Sequence, residues 1–131
     1  MTSVFNGASA LIGPIVHSLP TSVIVLDKDK NLVECNQAAC IVHQDIPIES
    51  LLKCEEVNDA LDRGASGEYC TVDFCYDPAN RWLRLNINPV YNDQGAQIGI
   101  SIFEKDITAK KAMISHLMSL RGVKNEQIQH C

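Results

Sequence analysis

The chain has 131 residues, 46% of them hydrophobic and 21% charged, with a formal net charge of −5. That length suits one domain with one core, and the composition excludes a disordered polymer. The acidic balance and the lack of a basic stripe argue against nucleic acid as a partner.

In chain order, residues 2–26 come first, and they contain no Asp, Glu, Lys or Arg. Asn6, Gly7, Ser9, Gly13, Pro14, His17, Ser18 and Pro20 interrupt the stretch, so it holds no apolar run of membrane-spanning length. A signal peptide needs positive charge ahead of its apolar core, and none precedes it. The expectation is a cytoplasmic domain whose own segment makes no direct membrane contact. Residues 1–19 read as an N-terminal cap, with a short helix from Pro14 to Leu19 that Pro20 ends.

Ser22 to Asp27 and Asn31 to Cys35 predict a hairpin across Lys28-Asp29-Lys30. Asn36 is placed to cap a helix from about Gln37 to His43, burying Ala38, Ala39, Ile41 and Val42. Pro47 starts a helical turn through Leu51 and Leu52, and Glu55 to Arg63 carries Val57, Ala60 and Leu61 as a helical stripe. Gly64-Ala-Ser-Gly67 reads as a stop and loop.

Tyr69 to Tyr76 predicts a third strand with Val72, Phe74 and Tyr76 on one face. Asp77-Pro78-Ala79-Asn80 is a turn into a fourth strand. There Leu83, Leu85 and Ile87 alternate with Arg84, Asn86 and Asn88, the period of two of a half-buried strand. Ile98, Ile100 and Ile102 repeat the pattern in a fifth strand, Gln97 to Lys105. Asn92-Asp93-Gln94-Gly95 supplies the turn between them, with Gly95 free to take a positive φ. After Asp106-Ile107-Thr108, the residues Met113, Ile114, Leu117 and Leu120 form a stripe at helical spacing that suits a short coiled coil or a partner. Two strands, several short helices and three strands make an α+β fold, a five-stranded antiparallel sheet with helices on one face.

Six cysteines (Cys35, Cys40, Cys54, Cys70, Cys75 and Cys131) are many for this length. Cys70 and Cys75 lie an odd number of residues apart on a strand, which sends them to opposite faces. Four residues separate Cys35 from Cys40, and no pair shows the two-residue gap common in zinc and iron–sulfur sites. No metal site is expected. No nucleophile–base–orienter set and no Gly-rich phosphate loop are visible, so no catalytic residue is assigned.

Two blocks, Leu19 to Ala39 and Trp82 to Thr108, together resemble a PAS domain. The earlier block is similar to that family's opening hairpin and first helix. The later block is similar to its closing hairpin, followed by the Asp-(Ile/Val)-Thr that opens the output helix. The resemblance implies a PAS-like core over 20–108, flanked by an N-terminal cap helix region at 1–19 and a C-terminal signalling or dimerisation helix over 109–131. It also implies a non-catalytic sensor and dimerisation domain, a homodimer that serves an effector region in the same parent chain. That effector would be a histidine kinase, a cyclic-dinucleotide enzyme or similar. Ser115-His116 lacks the residues that normally follow a phosphate-accepting His.

A ligand pocket in such a fold lies between the inner sheet face and the helices. Val25, Ile41, Leu61, Val72, Phe74, Leu85, Ile87, Ile100 and Ile102 are the candidates to line it, and the same side chains equally serve as packed core. Flavin members hold a reactive Cys within an Asn-Cys-Arg-Phe type of motif, which Ala38-Ala39-Cys40-Ile41 does not match. Haem members take a His from the helix before the third strand, and Glu55 to Arg63 has none; His43 reads as a solvated helix end. No cofactor is therefore assigned, neither flavin, haem nor a small organic ligand. Asp106, Ile107 and Thr108 are the candidate signal relay, with Thr108 expected to cap the exiting helix and Asp106 to bond a backbone N–H or a cation. A ligand-free protein–protein interaction module and a thiol-, haem- or metal-based redox sensor are the alternatives.

Overall fold

The computed structural model describes residues 20–120. In chain order the elements are β1 (Ser22–Asp27), β2 (Leu32–Cys35), α1 (Gln37–Asp45), α2 (Ile48–Lys53), α3 (Glu55–Ala65), β3 (Cys70–Tyr76), a 3-10 turn (Asp77–Ala79), β4 (Arg81–Tyr91), β5 (Gln97–Asp106) and α4 (Thr108–Leu120). The expected cap at 1–19 and the end of the 109–131 segment lie outside the described residues. Among these, no helix is long and apolar enough to cross a membrane.

The strands form one antiparallel sheet in the order β2-β1-β5-β4-β3. Two of its three hairpins, β1–β2 and β4–β5, turn on the same chemistry. Asp27 Oδ1 accepts from the N–H groups of Asp29 and Asn31 at 2.8 and 2.9 Å, and Asn92 Oδ1 accepts from those of Gln94 and Ala96, both at 2.9 Å. A short side-chain acceptor at a strand end thus substitutes for a ladder partner and bends the chain back. Gly95 takes the left-handed conformation with φ 79°.

The inner face carries Ile24, Leu26, Phe74, Leu83, Leu85, Ile87, Ile100 and Ile102, packed against Ala39, Ile46, Leu51, Val57, Ala60 and Leu61. Val23, Val25 and Ile98 form a separate buried cluster with Val33, Val90 and Phe103. Two expectations change here. Val25 belongs to the outer cluster, because in β1 alternate residues point to opposite faces and Ile24 and Leu26 take the inner one. Ile98 joins it too. The β4–β5 register shifts at Val90/Tyr91, and the extra residue of such a bulge breaks the alternation that Ile100 and Ile102 keep.

Helix α3 seats close against the sheet at Gly64. A Cβ built there would stand 2.7 Å from Ile87 Cγ2 and 3.4 Å from Ile100 Cγ2. Glycine inside a helix ordinarily costs about 0.5–1 kcal/mol relative to alanine; here it is what allows the contact. Gly64→Ala is therefore expected to destabilise the domain by about 1–3 kcal/mol, the usual range for overpacking. In an Ile87→Ala background, which removes the obstructing methyl, the cost should shrink or change sign. Urea unfolding of the four proteins of this cycle measures it.

Candidate functional site

β5 leaves the sheet through Asp106, and two sets of polar contacts converge on that end of the molecule. The first is buried. Along β5 the inward positions run Ile100, Ile102 and then Glu104, a carboxylate whose side chain has 0% exposure. Ser22, its cross-strand partner on β1, donates from Oγ to Glu104 Oε1 at 2.6 Å. His43, from the last turn of α1, places Nε2 at 3.0 and 2.9 Å from the two carboxylate oxygens and Nδ1 at 2.7 Å from the carbonyl oxygen of Ile46. Both ring nitrogens thus face acceptors. A neutral imidazole has only one N–H, so the protonated ring fits both contacts.

Burial alone would lower the pKa of His43. The hydrogen bond and charge of Glu104, the Ile46 carbonyl and the charge of Glu49 outweigh it, and the pKa is raised above the ordinary 6.5. His43 is therefore an interior group, and the expectation of a solvated helix end is corrected. The fixed direction of α1 turns the ring inward. Asn36 sets that direction. Its backbone carbonyl accepts from Cys40 N at 3.1 Å, while its fully buried side chain accepts at Oδ1 from Ala39 N at 2.9 Å and Val23 N at 3.0 Å. This is the expected cap, extended into a tie between helix and sheet.

The second set is the joint at Asp106-Ile107-Thr108. Arg81 donates from Nε and Nη2 to Asp106 Oδ2 at 3.0 and 2.8 Å, and its Nη1 lies 3.5 Å from Asp45 Oδ2, at the end of α1. Asp106 Oδ1 accepts from Thr108 N at 2.9 Å. Burial would raise the carboxyl's pKa, but the hydrogen bonds from Thr108 and Arg81 hold it below the usual value. The Thr108 hydroxyl does not cap the helix as expected. It accepts from Trp82 N at 2.9 Å, while Ile107 N donates to Trp82 O at 2.9 Å. Because Ile107 O accepts from Lys111 N at 2.9 Å, Thr108 already lies inside the helix, and Asp106 supplies the capping oxygen.

Beyond the joint, α4 rests on the outer sheet face. Lys111 Nζ sits 4.5 Å from the centroid of the Trp82 ring and 3.3 Å from Asp73 Oδ2. Asp73 also takes two bonds from Arg84, at 2.9 and 3.3 Å. Of the predicted stripe, Met113, Leu117 and Leu120 are exposed at 65%, 47% and 71%. Ile114 is half-buried.

The predicted pocket residues divide. Leu61, Phe74, Leu85, Ile87, Ile100 and Ile102 sit together in the inner cluster, with Val72 packed on its edge. Val25 lies on the other face. Ile41 is 59% exposed and lines nothing, because the face of α1 that meets the core is that of Ala39 and Val42. An open cleft of about 570 Å³ lies instead beside the joint, between Thr21–Ser22, α1 and Phe103–Asp106. Among the described residues, no three His, Cys, Asp or Glu side chains are grouped as a metal site.

No protein-family model matches this sequence, and no curated protein matches it closely. Solved structures do match in three dimensions. The PAS domain of BvgS from Bordetella pertussis superposes with a TM-score of 0.61 at 16% identity, covering 89% of this chain and 98% of that one. The fold is a PAS fold. An RNA-binding Light-Oxygen-Voltage receptor matches this PAS fold with a TM-score of 0.64 at 16% identity, over 94% of this chain and 40% of that one. The sensor region of a sensor histidine kinase matches with a TM-score of 0.56 at 16% identity, over 69% of this chain and 40% of that one.

The buried pair makes the PAS core pH-sensitive in a defined direction. Because the folded pKa of His43 is raised, its stabilisation is fully present below about 6.5, the unfolded value, and is lost as pH rises through the folded value. Unfolding free energy measured from pH 6 upward should fall and then level, and the slope should vanish in His43→Gln. Glu104→Ala removes one partner of a buried pair and is expected to cost about 3–5 kcal/mol at pH 6, read by chemical denaturation.

Proposed function

We propose that this PAS-fold chain is a non-catalytic, cytoplasmic sensor and dimerisation domain. It passes a signal through Asp106-Ile107-Thr108 to an effector region of the same parent chain, a histidine kinase or similar. The observation that carries this reading is the joint itself. Arg81 bridges Asp106 and the end of α1, and Trp82 holds Ile107 and Thr108 through both its backbone groups. A displacement of α1 therefore pulls on the first turn of α4 through contacts that can break singly. The sensor histidine kinase among the structural neighbours is consistent with such an output. Met113, Leu117 and Leu120, exposed at spacings of four and three, supply an apolar stripe for a second copy.

The packed inner face favours a second reading, a ligand-free interaction module. Gly64 brings α3 onto Ile87 and Ile100 with no space for a ligand between them. Native mass spectrometry of freshly purified protein separates the two: a co-purifying small molecule supports sensing, and a clean apo mass supports the module.

Asp106→Ala is expected to leave the domain folded, since the side chain is 40% exposed, while output of the full-length parent no longer follows its signal. Unchanged signalling in that variant would remove the relay. Leu117→Asp should shift the sedimentation profile from dimer to monomer without changing the melting temperature by more than a few degrees.

A further inference from the structure

β2 ends at Cys35, Asn36 caps α1, and Cys40 sits in the first helical turn, its N–H bonded to Asn36 O at 3.1 Å. The cap folds the chain so that two thiols five residues apart come together, Sγ to Sγ at 3.9 Å. A disulfide requires about 2.05 Å, so the sulfurs must close by roughly 2 Å. Both are free thiols, Cys40 exposed and Cys35 half-buried against the core. Their environments differ in a way that orders the chemistry. Burial first, then the neighbouring Cys40 and the charges of Glu34 and Glu104, push the Cys35 thiol up. Cys35 is thus poorly nucleophilic, and Cys40 meets solvent. Cys70 shows the contrast: its Sγ donates to Ala60 O at 3.3 Å.

We propose that Cys35 and Cys40 are a modification site, a dithiol that hydrogen peroxide closes reversibly into a disulfide. Cys40 attacks the peroxide as its thiolate. Its sulfur gains the distal OH as a sulfenic acid, and the O–O bond breaks to release hydroxide, or water once protonated. Cys35 sulfur then displaces that OH from Cys40 and forms the S–S bond; the Cys35 proton leaves with the OH as a second water. Per disulfide, two thiols are oxidised and one peroxide is reduced. A dithiol reductant returns both thiols by exchange. The bond joins the end of β2 to α1 around Asn36, the residue that ties α1 to β1. The site stands apart from the relay reading, since it is read by mass and not by output.

Trypsin places both residues in the peptide 31–53, which holds no other cysteine. After one equivalent of hydrogen peroxide on the reduced full chain, that peptide is expected to weigh two hydrogens less and to resist iodoacetamide at both positions. Dithiothreitol should restore it. In Cys35→Ser, Cys40 should stop at the sulfenic acid and be trapped by dimedone; in Cys40→Ser, Cys35 should stay alkylatable. The proposal is overturned if Cys40 instead gains oxygen while Cys35 remains free in the wild type. It is equally overturned if either residue bonds to another cysteine in preference, or if the peptide is unchanged.

Discussion

A carboxylate with no solvent exposure must find partners for its oxygens, or ionisation costs several kcal/mol. Glu104, on β5, imposes that requirement on two other elements at once. Ser22 meets it from the neighbouring strand, and His43 meets it from the last turn of α1. The helix is held over this end of the sheet because swinging the ring away would strand the charge. Two residues further along α1, Asp45 then lies within reach of Arg81, and Arg81 holds Asp106. The buried contact fixes the geometry, and the exposed ones carry it to the outside. The exposed pairs add little stability by themselves, since water screens them; their value is directional.

The joint continues the sheet past its last strand pair. Leu83 opposite Asp106 is the end of the β4–β5 register, which leaves Trp82 one step beyond it. Both its backbone groups are nevertheless served, the carbonyl by Ile107 N and the N–H by Thr108 Oγ1. The first residues of α4 thus act as ladder partners for β4. That explains the division of labour in Asp-Ile-Thr. A hydroxyl spent on the sheet cannot cap the helix, so the residue two positions earlier supplies the oxygen. Lys111, one turn on, then lies over the Trp82 ring and beside Asp73, so helix direction and sheet face are set together.

Much of this is readable from alternation, and the failures have identifiable causes. Leu83, Leu85 and Ile87 alternate with polar residues, and their face follows directly. In β1, residues Ser22 to Leu26 are buried on both sides of the sheet. Such a strand has no alternation to separate Ile24 and Leu26 from Val23 and Val25, so only the fold puts Val25 outward. Helix α1 is only weakly amphipathic; hydrophobicity alone sends Ile41 inward, whereas its place on the helix turns it to solvent. A bulge turns Ile98, and no local pattern announces it. Glu104 is the missed signal that does exist. It occupies the inward position after Ile100 and Ile102, and a charge in a core row implies a buried partner. Its partner, His43, lies 61 residues away and could not be named without the fold.

Apolar packing and discrete polar contacts hold different parts of this fold. Around Gly64 the interior is close-packed, and shifts there meet steep repulsion. Helix α1 is different, because its fastenings are discrete. At its start stand Asn36 and the two neighbouring thiols; at its end stand His43 and Asp45. These are contacts between named polar or sulfur atoms, not extended apolar packing. The relay proposed above needs such a helix to have two arrangements, since it is a two-state element that converts a small chemical event into a defined displacement. The far end of α1 is tied through Arg81 to Asp106, so a continuous chain of named contacts joins that helix to the first turn of α4, the path that the proposed relay would use.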